Sequence, residues 1–79
     1  MNKLEILTQS KTAREQEVFH YQINIDNYTI GIEQIADNPD LQEFKTQLQA
    51  LLASEIREQR KSQLMLDVIN LQLTQLQAQ

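Results

Sequence analysis

Hydrophobic residues recur at every third and fourth position through the first half of the chain, which is the spacing of a helix that buries one side. Ten positions follow this alternation without a break, and two of them are basic. They are Leu4, Leu7, Lys11, Arg14, Val18, Tyr21, Ile25, Tyr28, Ile32 and Ile35. A strict three-four repeat is the seam of a coiled coil, so it predicts a helix. Thr12 and Glu15 have the spacing of a capping box, which predicts a helix over about residues 12–36, with a start as early as Leu4.

Residues 18–33 also fit a β-hairpin, which is the alternative to the first helix. Apolar residues alternate with polar ones in residues 19–25 and again in residues 28–32, and Asp26 with Asn27 could form the turn between them. The segment is rich in Ile, Tyr and Thr, which favour strands. An isolated two-stranded hairpin is weak, however, and the chain offers no third strand. Helix is therefore the favoured interpretation, and a β-hairpin followed by a long C-terminal helix is the alternative.

The second half of the chain, from Asp40 to Gln79, contains neither glycine nor proline and consists mainly of strong helix formers. Its apolar residues recur at helical spacing on both sides of a polar stretch, residues 57–63. This stripe comprises Leu41, Phe44, Leu48, Leu51, Leu52, Ile56, Leu66, Ile69, Leu73 and Leu76. The pattern predicts a second helix from Leu41 to about Gln75, roughly 50 Å long at 1.5 Å per residue. Since long helices owe most of their stability to packing, this helix must pair along its length.

The only proline in the chain marks the boundary between the two predicted helices. Pro39 disfavours helical backbone at Asn38, which places a break over residues 37–40. Asp40 and the glutamate three residues later have the spacing of a second capping box. The sequence therefore predicts one all-α domain over residues 1–79, folded as an antiparallel, coiled-coil-like helical hairpin.

Each predicted helix also has apolar residues outside its seam, and these would be exposed in a single hairpin. They are Phe19, Ile23 and Ile30 in the first helix and Leu64, Val68 and Leu71 in the second. A chain this short buries only about 60% of the surface that its unfolded form exposes, so a partner subunit is the default expectation. We therefore expect two hairpins to form a homodimer with a four-helix arrangement.

Composition limits the classes of function and the compartment. Eleven acidic and seven basic residues give a formal charge of -4, which disfavours binding to the phosphate backbone of nucleic acid. There is no cysteine for a disulfide or a thiolate metal site. The N-terminus lacks the apolar run of a signal peptide, and no stretch is apolar enough to span a membrane. We expect a small, acidic, cytoplasmic protein that does not enter membranes.

The residues that could carry chemistry lack the partners that catalysis needs. His20 is the only side chain that titrates near neutral pH without perturbation, but no nucleophile motif or second histidine accompanies it. Acidic pairs such as Glu15 with Glu17 lack the further ligands and the glycine of a calcium loop. A single glycine also excludes the clustered glycines that cradle phosphate. We predict no enzymatic activity, no catalytic residue, no metal site and no cofactor.

Two groups of residues are the predicted protein-binding sites. One contains aromatic and amide side chains of the first helix, namely Phe19, Tyr21, Asn24, Asn27 and Tyr28. The other is the basic cluster Arg57, Arg60 and Lys61, which could dock an acidic partner. The predicted function is a non-enzymatic protein-interaction module, a self-associating structural or adaptor protein. The alternative is a small regulator or inhibitor, of the kind that phages and mobile elements encode, which binds and blocks a larger cytoplasmic protein.

Overall fold

The computed structural model describes residues 2–78, which form two long helices packed against each other. Helix α1 spans Lys3–Ile35, a 3₁₀ turn covers Pro39–Leu41, and helix α2 spans Gln42–Gln77. The hairpin measures 61 × 16 × 14 Å. Its radius of gyration is 17.8 Å, whereas a compact chain of this length would have about 12 Å. The predicted all-α, antiparallel helical hairpin is confirmed.

The β-hairpin alternative for residues 18–33 is wrong, because the whole segment lies inside α1. No strand occurs in residues 2–78. The helix satisfies its backbone hydrogen bonds internally and buries one side against α2, whereas a two-stranded hairpin would have left an edge without a partner. The helical packing therefore outweighs the strand propensity of Ile, Tyr and Thr.

Helix α1 begins at Lys3, close to the earlier of the two predicted starts. The side chain of Asn2 caps it, since its Oδ1 accepts a hydrogen bond from the backbone N–H of Glu5 at 2.9 Å. The predicted cap at Thr12 is wrong. Thr12 lies inside the helix, where its hydroxyl donates to the carbonyl of Thr8 at 3.2 Å. The residues before it remain helical because Leu7 is buried between the helices.

The connection between the helices is capped by Asn38. Its Oδ1 accepts from the backbone N–H of Asp40 at 3.0 Å, and Pro39 occupies the first turn, where its missing N–H leaves no bond unmade. Asp40 is therefore not the cap. The second predicted capping box names the wrong residues, although it correctly places a helix start beside Pro39. The backbone of Ala36 turns with φ at 46°, and its carbonyl accepts hydrogen bonds from the side chains of Gln42 and Lys45.

The seam between the helices follows a strict three-four repeat in both. In α1 it matches the prediction, with Leu7 and Ile35 buried near its two ends. In α2 the repeat comprises Lys45, Leu48, Leu52, Glu55, Gln59, Ser62, Leu66, Ile69, Leu73 and Leu76. The predicted stripe is wrong at Leu41, Phe44 and Leu51, which are 39%, 50% and 46% exposed, and Ile56 lies beside the seam. The seam instead continues directly through the polar stretch.

The apolar core is thin and is divided by this polar section. Leu7, Leu66 and Ile69 are buried towards the open end, and Ile35 and Leu48 are buried towards the turn. Each keeps between 7% and 9% of its surface accessible, and no side chain among the described residues falls below 2%. The isolated hairpin therefore stabilises itself with few fully covered side chains, and it exposes apolar residues elsewhere.

Candidate protein interaction surfaces

Glu17 is the centre of a polar cluster at the edge of the seam, and its side chain is 44% exposed. Its Oε2 accepts a hydrogen bond from the Ser62 hydroxyl at 2.8 Å and another from Nη1 of Arg14 at 3.0 Å. The Ser62 hydrogen bond, followed by that of Arg14, lowers the pKa of the Glu17 carboxyl below its ordinary range. Ser62 is the one buried polar residue among those described, so this bond joins a buried hydroxyl of α2 to a partly exposed carboxylate of α1.

Two further contacts extend the polar section towards the turn. Gln59 donates from Nε2 to the backbone carbonyl of Val18 at 3.2 Å and to Oε1 of Gln22 at 2.8 Å. Asn24 donates to Oε2 of Glu55 at 3.4 Å. These bonds are satisfied only when the helices keep one alignment, so the polar section specifies the pairing of α1 with α2. The polar stretch of residues 57–63, which the sequence pattern left outside the apolar stripe, therefore contributes Gln59 and Ser62 to the contact with α1.

The side of α1 that points away from α2 carries a second regular stripe. It is spaced by four and three residues like the seam, and we name it the α1 face. It consists of Phe19, Ile23, Asp26, Ile30 and Glu33. All five side chains are exposed, and Phe19 is the most accessible large apolar residue among those described, at 67%. The α1 face combines apolar contact area with acidic charge.

The outward side of α2 carries a matching stripe nearer the open end. This α2 face has the same spacing of four and three residues. It consists of Arg57, Lys61, Leu64, Val68 and Leu71. All five are exposed, with Leu64 at 62%. Lys61 pairs with Glu58 at 2.9 Å, whereas Arg57 and its neighbour Arg60 have no carboxylate within 4.0 Å among residues 2–78. The α2 face thus combines apolar contact area with basic charge.

The structure divides the first predicted binding group between two places. Phe19 and Asn27 are exposed, whereas Tyr21, Asn24 and Tyr28 are half-buried beside α2, and Asn24 is already bonded to Glu55. The predicted basic cluster stays together on the outside of α2, where all three of its members are exposed. Whether these residues contact a partner remains a prediction.

The groove beside His20 is formed by α1 side chains and offers no reactive arrangement. Gln16, Glu17 and Tyr21 line it, and the Glu17 carboxylate is already occupied by Ser62 and Arg14. No group of three or more histidine, aspartate or glutamate side chains within residues 2–78 could hold a metal ion. Within the same residues, neither helix contains a stretch long and apolar enough to cross a bilayer.

The two outer faces contain residues that the sequence interpretation kept apart. The sequence pattern indicates the apolar residues outside the seams, but it does not join Asp26 and Glu33 to them, and it groups Arg57 and Lys61 in a separate basic cluster. The three-four spacing was the available signal, because it runs through the charged positions as well as the apolar ones. Comparison of the chain with known protein families, curated protein sequences and solved structures gives no match.

Proposed function

We propose that this chain is a non-enzymatic protein-interaction module that associates with itself through the outer faces of its helices, as a structural or adaptor protein. The observation that carries the proposal is the regular exposure of large apolar side chains opposite the seam. Phe19, Ile23 and Leu64 lie at heptad positions that a solitary hairpin would fill with polar residues. Regular apolar positions of this kind are typical of helices that pack against a further helix.

The accessible area supports the same proposal. The hairpin of 9.2 kDa exposes 5885 Å², whereas a compact monomer of that mass would expose about 4,900 Å². The excess of roughly 1,000 Å² is similar to the area of about 800 Å² that each partner buries in an ordinary specific interface. Docking a second copy would remove an area of this size from each hairpin.

The thin core gives a further reason for association. Burial of apolar surface contributes about 25 cal/mol per Å², so a partner that covered the exposed stripes would stabilise the chain further. The five buried apolar side chains of the hairpin are few for two helices of 33 and 36 residues. A second hairpin packed on one outer face would extend the assembly to four helices and cover part of the apolar surface that one copy leaves exposed.

The proposal is tested by changing one exposed apolar residue and measuring mass in solution. We expect the unmodified chain to associate at low micromolar concentration and Phe19→Asp to shift towards monomer, because a carboxylate would be desolvated in the contact. Gln9→Asp is the matched control, since it adds the same charge at an exposed position on the same side of α1, ten residues or about 15 Å before Phe19 and beyond the end of the α1 face. Size-exclusion chromatography with light scattering gives the mass, and circular dichroism checks that both variants stay helical.

A monomeric unmodified chain at every concentration would contradict self-association. In that case, a pull-down that recovered one dominant foreign protein in fixed stoichiometry would favour the alternative of a small regulator or inhibitor. Recovery of untagged copies of the chain itself would agree with the proposal.

A further inference from the structure

We infer that copies of this chain associate head to tail, with the α1 face of one hairpin packed against the α2 face of the next. The inference rests on the proposed self-association and specifies which surfaces meet. It replaces a symmetric homodimer, in which the same face of both copies would meet, with a contact between two different faces.

The position of the two faces argues against one symmetric partner covering both. Each face lies opposite the seam of its own helix, so the α1 face and the α2 face point in opposite directions, away from the centre of the hairpin. A single partner related by a twofold axis would cover one face and leave the other exposed. Contact between unlike faces covers both as copies are added.

Charge argues for unlike faces in contact. The α1 face includes Asp26 and Glu33 and no basic residue, whereas the α2 face includes Arg57 and Lys61 and no acidic one. Pairing two α1 faces would bring four carboxylates together, and pairing two α2 faces would bring four cations together, of which each Lys61 is paired with Glu58 and each Arg57 has no carboxylate within 4.0 Å among residues 2–78. Like charges in contact are unfavourable, and opposite charges fix both the partner and the alignment.

The spacing of the two faces also matches when α1 of one copy runs antiparallel to α2 of the next. Phe19 then lies opposite Leu71, Ile23 opposite Val68, and Glu33 opposite Arg57. Ile30 meets Lys61, whose aliphatic stem can cover it while the ammonium group stays in water. The weakest layer is Asp26 opposite Leu64. The three apolar or oppositely charged layers, together with the cover that Lys61 gives Ile30, make this alignment the one we propose.

This alignment predicts the geometry of the assembly. Within one hairpin, Phe19 lies level with about Lys61, whereas in the proposed contact it lies level with Leu71. Ten residues of helix correspond to a shift of about 15 Å between neighbouring copies. Because every added copy brings one unused face of each kind and each step adds a shift in the same direction along the helices, the assembly grows beyond a dimer as a staggered row.

The decisive experiment mixes two full-length variants, each with one face blocked. Phe19→Asp blocks the α1 face and Leu64→Asp blocks the α2 face, and both residues are more than three-fifths exposed, so the hairpin itself should fold. We expect each variant alone to be monomeric. Their equimolar mixture should form a 1:1 heterodimer and nothing larger, because one intact face of each kind remains, and light scattering distinguishes this from the larger wild-type species.

Other outcomes separate the inference from the function on which it rests. If each variant alone forms a homodimer, or if the mixture stays monomeric while the unmodified chain associates, the head-to-tail contact is wrong although self-association stands. If the unmodified chain is itself monomeric, the proposed function fails as well. Circular dichroism of each variant confirms that a loss of mass does not reflect unfolding.

Disulfide trapping tests the alignment independently, since the chain has no cysteine of its own. Glu33→Cys puts a single thiol on the α1 face of one molecule, and Arg57→Cys puts a single thiol on the α2 face of another. Under mild oxidation we expect the mixture to form the mixed disulfide at least tenfold faster than either variant links to itself, because only the mixed pair brings the Cβ atoms within about 4.5 Å. Equal or faster linkage of either variant alone would overturn the inference.

Discussion

The carboxylate of Glu17 accepts hydrogen bonds from both helices, and the pKa of this group reports whether the polar section is formed. Because the folded pKa lies below the ordinary value of 4.5, the ionised form stabilises the hairpin at pH values above that value. This contribution is lost as the pH falls through the lower, folded pKa. The hairpin should therefore become less stable on acidification below about pH 4.5.

Replacing Ser62 tests this account at a single residue. We expect Ser62→Ala to raise the pKa of Glu17 towards its ordinary value, because the Ser62 hydroxyl is the largest cause of the lowering. Ser54→Ala is the matched control on the same helix, away from Glu17, and should leave that pKa unchanged. Carboxyl-detected NMR titration measures both. An unaltered Glu17 pKa in Ser62→Ala would show that the bond between the helices is not formed in solution.

Ala36 is the one non-glycine residue among those described with a positive φ, at 46°. Its Cβ is strained there, so we expect Ala36→Gly to stabilise the chain by about 0.5–1 kcal/mol, after the greater freedom of glycine in the unfolded state is included. Ala50→Gly changes the same residue type inside α2 and should destabilise by about 1 kcal/mol. Urea unfolding at one fixed chain concentration compares them. Equal destabilisation by both would contradict the strain at Ala36.

At the scale of the helices, Leu48 and Leu51 distinguish the observed seam from the stripe that the sequence suggested. Leu48 is 8% exposed and sits against Gly31, where an added Cβ would lie 3.3 Å from its Cδ1, whereas Leu51 is about half exposed. We expect Leu48→Ala to cost about 2–5 kcal/mol and Leu51→Ala less than about 1 kcal/mol. Denaturant unfolding gives both values. Similar losses for the two leucines would mean that α2 is rotated from the alignment described here.

Much of the hairpin could be predicted from the sequence because its strongest signals are local. The repeat through Val18, Tyr21 and Ile25 fixed the buried side of α1, and Pro39 fixed the break. The helix caps were harder to predict, because Thr12 and Asp40 fit the same sequence pattern as the observed caps. Only the packing around Leu7 and the hydrogen bond accepted by Asn38 show which residues are the caps. Composition alone could not show these contacts.

The seam of α2 and the two outer faces were harder to predict from the sequence, for one physical reason. A seam is recognised by apolar residues, but Gln59 and Ser62 occupy seam positions through hydrogen bonds to the other helix, which a single helical pattern does not contain. Asp26 and Arg57 likewise belong to the same faces as their apolar neighbours only because of their spacing along the helix. Polar residues of this kind can be assigned to an interface only when the positions of both packed helices are known.

At the scale of the whole molecule, the account depends on an elongated hairpin that exposes two unlike faces. The acidic α1 face and the basic α2 face should make association sensitive to salt as well as to apolar substitutions, since exposed charge pairs are screened. We expect the apparent association constant to fall by several-fold between low and moderate salt, because only Glu33 with Arg57 and their neighbours contribute charge. Light scattering at two salt concentrations measures the change. Stronger association at higher salt would contradict a favourable contribution of these charges to association.

Sedimentation velocity of the unmodified chain over roughly a hundredfold range of concentration measures self-association itself. We expect a monomeric boundary at the lowest concentrations that gives way to dimers and then to larger species in the micromolar range. A single boundary at the mass of one 9.2 kDa chain throughout that range would contradict it.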